Sequence, residues 1–382
     1  MTSVSAAQHA PAAYELTPAA EAMVFRGPGR PFERVSVPEV TLAVGEAIVE
    51  IELATICAVD ERAVGSAGRV QSPVVLGHEQ VGRIVALGPG RPARAVDGAA
   101  LSVGDRVVWS SSVACGQCRA CRRGQSVRCE HRREYGRERM RRGWELSGGF
   151  ATHTHLLART TIVRVSEGLP AAALAPASCA TATAVAALAA AEMTRPLAGE
   201  LLVVSGCDLT GLTTIAAAVE AGATVVAIDS DAERRALARE FGAAAVADSG
   251  PDELAMAMRN ARGRRSRPDG FTIAVDTSGS APAIELLLRT AGVGAAIVLV
   301  NQVDAARAVR LSAERVVHDQ LTVTGVRGSR PEHMERAVRF LETTDVELLA
   351  SLVVDTVSLG DLASELRNPS DRGLRVGVDP RR

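Results

Sequence analysis

Between residues 200 and 326 the chain alternates short apolar runs with runs of helical length, and this alternation restricts the fold more than any other feature. The segments GLTTIAAAVEAG (211–222) and DAERRALAREFGA (231–243) have helical composition, and the second begins with Asp231, a residue suited to N-capping. Strands that alternate with such helices predict a parallel sheet covered by helices on both faces, the doubly wound α/β class. The apolar runs are ELLVVSG (200–206), TVVAIDS (224–230), AAAVADS (243–249), FTIAVDTSGS (271–280), GAAIVLVN (294–301) and LTVTGV (321–326).

The preceding part of the chain, residues 22–110, has a different pattern. Short runs such as AIVEIELATIC (47–57) and VGRIVALG (81–88) lie between glycine and proline breaks, which indicates β structure. Residues 1–20 are predicted to be a loose extension. After residue 330 we expect one helix and a short final strand at LRVGV (374–378).

Composition narrows the class of protein. The length of 382 residues suggests two domains, and 43 basic residues, all arginine, nearly balance 44 acidic ones. A net charge of −1 and 3% aromatic residues argue against nucleic acid or a membrane surface as partner. The chain has no apolar run long enough to span a bilayer and no secretory pattern at its N-terminus, so we expect a cytoplasmic protein with reduced thiols.

Four of the seven cysteines form a tight cluster, Cys115-x2-Cys118-x2-Cys121-x7-Cys129. Four thiolates at this spacing close a tetrahedral shell around Zn²⁺ and leave no open position, as in structural zinc sites. The segment around them has few aliphatic residues with which to form a core, which favours a zinc loop over four unpaired cysteines.

A second set of metal-binding residue types is dispersed. Cys57 follows one predicted strand, His78 and Glu79 follow another, and Cys179 lies where the β region passes into the α/β region. One histidine and two cysteines would make an open zinc site with a position for water or substrate. Taken singly, each cysteine is more often a small buried hydrophobic residue, and spacing alone does not assemble the set.

The turn after the first apolar run of the α/β region resembles a dinucleotide fingerprint, G-x-G-x-x-G. Gly206 and Gly211 match its first and third glycines, and Asp208 replaces the second, where the backbone normally approaches a pyrophosphate. Asp229 ends the next strand, where its carboxylate suits the ribose hydroxyls and would repel a 2′-phosphate. Asp229 therefore favours NAD, whereas Asp208 adds a side chain and a negative charge where the pyrophosphate would bind. These residues also leave open that Asp208 caps the helix and occupies the site as an internal anion.

These motifs together resemble the zinc-dependent alcohol dehydrogenases of the medium-chain dehydrogenase/reductase family, over the chain from about residue 22 to its end. The resemblance lies in the C-x-x-D element at 57–60, G-H-E at 77–79, the four-cysteine loop, GGFA at 148–151, the Cys179 region and the nucleotide fold. The stretch GWELSGGFATHTHL (143–156) looks most like a subgroup associated with phosphonate metabolism.

The resemblance implies an architecture and a set of ligands. A GroES-like, β-rich catalytic domain would comprise residues 1–179, with the zinc loop at 115–129, and residues 325–382. A Rossmann domain would comprise residues 180–324, and ligands would bind in the cleft between the two domains. The family pattern implies NAD, two zinc ions per chain and a homodimer or homotetramer. Its residue assignments are Cys57, His78 and Cys179 as catalytic zinc ligands, Glu79 as an adjacent or alternate ligand, Asp60 orienting His78, and Arg375 in the cofactor site.

Two departures from the family pattern concern proton transfer. Family members commonly carry Ser or Thr where Val59 stands, and Val59 cannot relay a proton; Arg62, where some members have a relay histidine, is a poor base. Water or Thr183 would have to substitute. With Asp208, this leaves a non-redox zinc enzyme, a lyase or isomerase, as the alternative to a dehydrogenase, and a non-catalytic binding or structural protein as a third class.

Ten arginines lie in the zinc loop and the residues after it, with Glu130, Glu134 and Glu138 among them. One interpretation is a solvated, salt-bridged loop. The other is that one or two of these arginines bind an anionic substrate such as a phosphonate or phosphate. The arginines are at positions 119, 122, 123, 128, 132, 133, 137, 139, 141 and 142.

Overall fold

The computed structural model describes residues 10–65, 70–262, 270–300, 307–368 and 374–382. The chain forms two compact units, the first made of Met1–Cys179 and Leu349–Arg382 and the second of Ala180–Leu348. The return to the first unit therefore lies later than the expected position, 325. The reason is that the helix at 331–343 packs against the helix at 180–192, inside the second unit.

The first unit is rich in β structure, and its elements are numbered in chain order. Its strands are β1 (Ala12–Phe25), β2 (Phe32–Leu42), β3 (Ala47–Thr55), β4 (Val74–Val75), β5 (Gln80–Leu87), β6 (Arg106–Trp109), β7 (Ser112–Val113), β8 (Arg133–Glu134), β9 (His153–Leu156), β10 (Ile162–Arg164), β17 (Val353–Ser358) and β18 (Arg375–Asp379). Its helices are α1 (Ala58–Val64), α2 (Arg119–Arg122), α3 (Ala171–Leu174) and α12 (Leu362–Arg367), with 3₁₀ turns at Ser126–Arg128 and Ala175–Ser178. Helix α11 (Val346–Ala350) contains the point in the sequence, between Leu348 and Leu349, at which the chain passes from the second unit to the first.

A seven-stranded sheet forms the centre of the first unit, in the order β10-β6-β5-β3-β18-β17 with β9 also paired to β3. Strand β18, from the end of the chain, lies antiparallel to β3, with Gly377 opposite Thr55. Trp109, Phe150 and Tyr135 are among the fully buried side chains of this core. A three-stranded sheet, β2-β1-β4, and the β7-β8 hairpin complete the unit.

The expected loose extension is wrong for residues 12–20, which belong to β1; residues 1–9 of it lie outside the described residues. Leu16 and Ala20 of this strand are buried in the core. The register with β2 shifts between Glu15 and Ala20, around Pro18. This bulge interrupts the regular alternation by which a strand is recognised in sequence.

The second unit contains a parallel six-stranded sheet and the remaining helices. The strands are β11 (Leu201–Ser205), β12 (Thr224–Ile228), β13 (Ala245–Ala247), β14 (Phe271–Asp276), β15 (Ala291–Leu299) and β16 (Thr322–Gly325). The helices are α4 (Ala180–Glu192), α5 (Leu209–Glu220), α6 (Ala232–Glu240), α7 (Pro251–Arg262), α8 (Ala281–Thr290), α9 (Ala313–His318) and α10 (Pro331–Thr343).

The strand order of this sheet is β13-β12-β11-β14-β15-β16, all parallel. In order of appearance this is 3-2-1-4-5-6, the Rossmann arrangement, so the predicted doubly wound α/β class is confirmed. Every residue of β11 is buried, as a central strand covered on both faces requires. In such sheets ligands bind at the carboxyl ends of the strands, next to the strand-order reversal between β11 and β14.

Within the described residues, no single helix is long and apolar enough to cross a membrane. Two consecutive helical segments, Ala171–Ser178 and Ala180–Glu192, reach that length and apolar composition only when counted together, and the chain bends between them.

Candidate metal centres and dinucleotide turn

The dispersed ligand set converges in the first unit. Ligand atoms of Cys57, His78, Glu79 and Cys179 all lie within 4.8 Å of one another. Cys57 is the N-cap of α1, His78 and Glu79 immediately precede β5, and Cys179 follows the 3₁₀ turn at Ala175–Ser178. The structure thus brings together the four residues that the sequence could not assemble from spacing.

Asp60 lies beside His78, as the family pattern implies. Its Oδ1 is 3.3 Å from His78 Nδ1, and its two oxygens accept from the backbone N–H groups of Gly77 and Cys57. Among the described residues, neither ring nitrogen of His78 makes a hydrogen bond of good geometry, although the ring is buried. A buried imidazole without hydrogen bonds, facing two thiols and flanked by a carboxylate, is a donor set that fits a Zn²⁺ ion.

The surroundings of Cys57 favour its thiolate form. A hydrogen bond from the Cys179 thiol and the positive charge of Arg375 hold the pKa of Cys57 well below its usual range, against the effect of burial. Burial lowers the pKa of His78, but the nearby charge of Asp60 outweighs it and raises that pKa to about 10. A histidine that binds zinc is neutral, so metal binding would release this proton. The cluster therefore favours a thiolate held in a buried position, which is the species that binds zinc.

Arg375, expected in the cofactor site, contacts the metal cluster in this unit. Its Nε donates to Glu79 Oε2 at 3.1 Å, and its Nη2 lies 3.7 Å from Cys57 Sγ. The Thr55 hydroxyl donates to the same Glu79 oxygen at 2.7 Å. Sequence analysis did not identify Thr55. The position of Arg375 in an otherwise apolar strand does indicate a role, because a buried charge requires an internal partner.

The four-cysteine lobe, residues 115–129, is a second cluster whose Sγ atoms all lie within 4.8 Å of one another. The N–H of Cys115 donates to Cys129 Sγ at 3.2 Å, and that of Cys118 donates to Cys115 Sγ at 3.4 Å. Backbone hydrogen bonds lower the pKa of Cys118 to about 6, whereas burial and the neighbouring thiols raise that of Cys121 to about 12. Four sulfurs at one point, partly ionised, fit a closed Zn²⁺ site.

The residues after the lobe anchor it to the sheet. The buried Tyr135 hydroxyl is 2.7 Å from Thr160 Oγ1 and accepts from the N–H of Leu157 at 2.8 Å. Its ring makes an edge contact with Trp144, with centroids 5.6 Å apart. By contrast, Cys129 is the only buried residue between 114 and 134, all of which the structure describes.

Three of the ten arginines pair with glutamates of the same segment. Arg132 lies 3.2 Å from Glu134, and Arg133 and Arg141 both contact Glu138. These pairs are those of a solvated, salt-bridged loop. The arginines of the first part of the segment, at positions 119, 122, 123 and 128, are exposed.

In the second unit, the turn between β11 and α5 keeps the two glycine positions of the fingerprint. A Cβ on Gly206, whose φ is 94°, would lie 2.7 Å from the backbone nitrogen of Ser278, and one on Gly211 would lie 1.9 Å from the carbonyl oxygen of Gly206. Both positions therefore require glycine, as the dinucleotide turn does for close packing of strand and helix.

Two carboxylates bind backbone amides of this turn. Asp208 is the N-cap of α5, and its Oδ1 accepts from the N–H of Gly211 at 2.9 Å. Asp229 follows β12, and its Oδ2 accepts from the N–H of Cys207 at 2.7 Å. Sequence analysis predicted that Asp229 binds the ribose and left the role of Asp208 open. In the structure, both carboxylates accept hydrogen bonds from backbone amides between β11 and the first turn of α5. Thr183, the alternative proton relay, lies half-buried on α4 of this unit and stays a prediction.

Comparisons with known proteins are consistent with this geometry. Residues 43–167 match the model of the alcohol dehydrogenase GroES-like domain, and residues 210–343 match that of the zinc-binding dehydrogenase family. An alcohol dehydrogenase of Geobacillus stearothermophilus is 30% identical over 276 residues, which cover 71% of this chain and 74% of that protein.

Solved structures resemble the chain over nearly its whole length. An alcohol dehydrogenase of Thermotoga maritima superposes with a TM-score of 0.86 at 25% identity, covering 94% of this chain and 99% of that one. A protein of Sinorhizobium meliloti described as a zinc-binding dehydrogenase and bound to NADP gives a TM-score of 0.79 over 95% of this chain and 99% of its own; at 22% identity this likeness shows the fold alone.

Proposed function

Because this chain belongs to the zinc-binding dehydrogenase family, we propose that it transfers hydride between NAD and a small alcohol, aldehyde or ketone, with two zinc ions per chain. Family membership makes it a zinc oxidoreductase with a nicotinamide cofactor. The non-redox alternative, a lyase or isomerase, is not favoured by relatives that are dehydrogenases. The observation that carries the proposal is the convergence of Cys57, His78 and Cys179 on one point beside Glu79.

The roles of the residues follow from their contacts. Bound zinc would supply Lewis acidity at the substrate oxygen, and the nicotinamide would carry the hydride. Cys57, His78 and Cys179 would hold the metal, and Asp60 fixes the His78 ring through its proximity to Nδ1. Thr55 and Arg375 both donate to Oε2 of Glu79 and so fix its carboxylate, which keeps Glu79 near the metal position as an adjacent group. The second zinc would be held by the four-cysteine lobe, where it would stabilise a segment that has almost no buried apolar side chains.

The preference for NAD is tested at Asp229. We expect the wild type to prefer NAD, because the Asp229 carboxylate opposes a 2′-phosphate, and Asp229→Ala to reduce the ratio of NAD to NADP affinity by about tenfold. Dissociation constants of NADH and NADPH, measured by fluorescence titration, give this ratio. Asp229→Ala also removes the acceptor of the Cys207 N–H, so NADH affinity itself is expected to fall. A wild type that prefers NADP would contradict the assignment.

The charge of the substrate is a separate proposal, supported by the arginine-rich segment. If arginines of 119–142 reach the substrate, an anionic aldehyde or alcohol is turned over with a higher kcat/KM than a neutral analogue of similar size. Added salt reduces that advantage, because exposed charges are screened. Steady-state kinetics at low and high ionic strength measure both. Equal kcat/KM for the two compounds would leave the segment as a solvated surface.

A homodimer or homotetramer is also part of the proposal. Strand β16 lies at the edge of the parallel sheet, and Thr322, Val323 and Gly325 of this strand are exposed. An edge strand with unpaired backbone groups is a site at which a second copy of a sheet can pair.

A further inference from the structure

The amino end of α5 is the part of the dinucleotide site where this chain departs most from the fingerprint. The first amides of a helix have no intrahelical acceptor, and the helix dipole gives this end a partial positive charge. These amides bind the pyrophosphate in dinucleotide folds. In this chain Asp208 stands where the fingerprint has its second glycine, and its Oδ1 binds the N–H of Gly211 in the first turn of α5.

We infer that Asp208 is a built-in anion that competes with the cofactor's pyrophosphate for the amino end of α5, and so limits cofactor affinity. The inference rests on the proposed dinucleotide function and refines it. Two physical effects act together. The carboxylate already occupies a donor that the ligand would otherwise use, and its charge opposes a ligand that carries two phosphates.

The electrostatic surroundings of the turn support the second effect. Asp229 adds a second carboxylate, bound to the N–H of Cys207. Burial raises the pKa of the Cys207 thiol to about 12, and the charges of Asp229 and Asp208 both add to that rise. Arg234 and Arg235 lower the same pKa, but their effects are smaller than those of the two aspartates.

The two aspartates have different consequences for ligand binding. Asp229 shapes the turn at Cys207 and lies where the ribose is expected, so its removal weakens NAD binding. Asp208 binds the N–H of Gly211 in the first turn of α5, where the phosphate would lie, so its neutralisation strengthens binding. We therefore expect NADH to dissociate faster from the wild type than from a variant without the Asp208 charge, because affinity differences between related complexes lie mainly in the dissociation rate.

The test separates charge from occupancy with two substitutions. Asp208→Asn keeps a good N-cap acceptor and removes the charge, whereas Asp208→Gly restores the fingerprint glycine and removes both. The matched control is Asp252→Asn, which removes one exposed carboxylate from the first turn of α7 in the same unit. Each protein is titrated with NADH, with ADP-ribose, which has the pyrophosphate without nicotinamide, and with adenosine, which has no phosphate.

The expected result is that Asp208→Asn binds NADH and ADP-ribose about fivefold more tightly than the wild type, through loss of the charge. Asp208→Gly should bind them more tightly still, by about tenfold or more, because the amide of Gly211 is also released, while adenosine binds equally to all. Asp252→Asn should match the wild type with every ligand. Thermal unfolding confirms that the variants are folded. Equal NADH affinities of wild type and both Asp208 variants would overturn the inference and leave the proposed function intact. If no variant binds NADH or ADP-ribose, the dinucleotide function itself fails, and the inference with it.

Discussion

Replacing Cys57 or Cys179 with serine is expected to remove one of two zinc ions and to reduce kcat/KM by about a thousandfold or more, while the fold survives. The magnitude follows from the several kcal/mol by which a metal stabilises charge in the transition state, at about 1.4 kcal/mol per factor of ten. The fold survives because the residues around the cluster belong to a well-packed sheet. Metal analysis, steady-state kinetics and thermal unfolding measure the three quantities.

A graded companion to these substitutions is Asp60→Asn. It keeps the size of the side chain and removes the charge beside His78 Nδ1, so zinc affinity should fall by about 10- to 100-fold, with activity recovering when zinc is added in excess. A Cys57→Ser protein that kept both zinc ions and its activity would show that the Cys57, His78 and Cys179 cluster is not the catalytic centre.

The second large effect is expected at the four-cysteine lobe, and it concerns stability. Cys118→Ser should lose the structural zinc and lower the free energy of unfolding by about 3 kcal/mol or more, comparable to losing a native cross-link. For a unit of this size, that corresponds to a fall in Tm of at least about 6 °C. The reason is that Cys129 is the only buried residue between 114 and 134, so the metal replaces a core there. Differential scanning calorimetry and zinc analysis give both values.

Gln117→Ala is the matched control for Cys118→Ser. Gln117 is exposed in the same loop, and its truncation should change the free energy of unfolding by less than about 0.5 kcal/mol. Cys118→Ser protein with wild-type Tm and zinc content would mean that the lobe does not depend on a metal.

The sequence predicted well the features that depend on local pattern. The alternation between residues 200 and 326 gives the parallel sheet, because strand and helix periods are local properties. The four-cysteine lobe was predictable for the same reason, since its ligands lie within residues 115–129. Gly206 and Gly211 were identified as turn positions, and their close contacts explain why no other residue fits.

What the sequence could not supply are contacts between distant segments. Cys57, His78 and Cys179 were joined only through a family resemblance, because nothing in their spacing brings them to one point. The partner of Arg375 is Glu79, 296 residues earlier in the chain. A buried arginine in an apolar strand indicates that an acidic partner exists, but only the pairing of β18 with β3 shows which one.

The antiparallel pairing of β3 with β18 has a consequence for how the protein is made. The four-cysteine lobe can form as soon as residues 115–129 have left the ribosome. The catalytic cluster cannot reach its final form then, because Arg375 and β18, which pairs with β3, are synthesised later. The second unit emerges in between and can fold first, since it is a compact unit formed by one continuous segment, Ala180–Leu348. Loop closure over this distance makes completion of the central sheet a late event. Until β18 docks, Glu79 lacks the charge of Arg375 beside it, and the end of β3 at Ala54 and Thr55 lacks the strand with which it pairs.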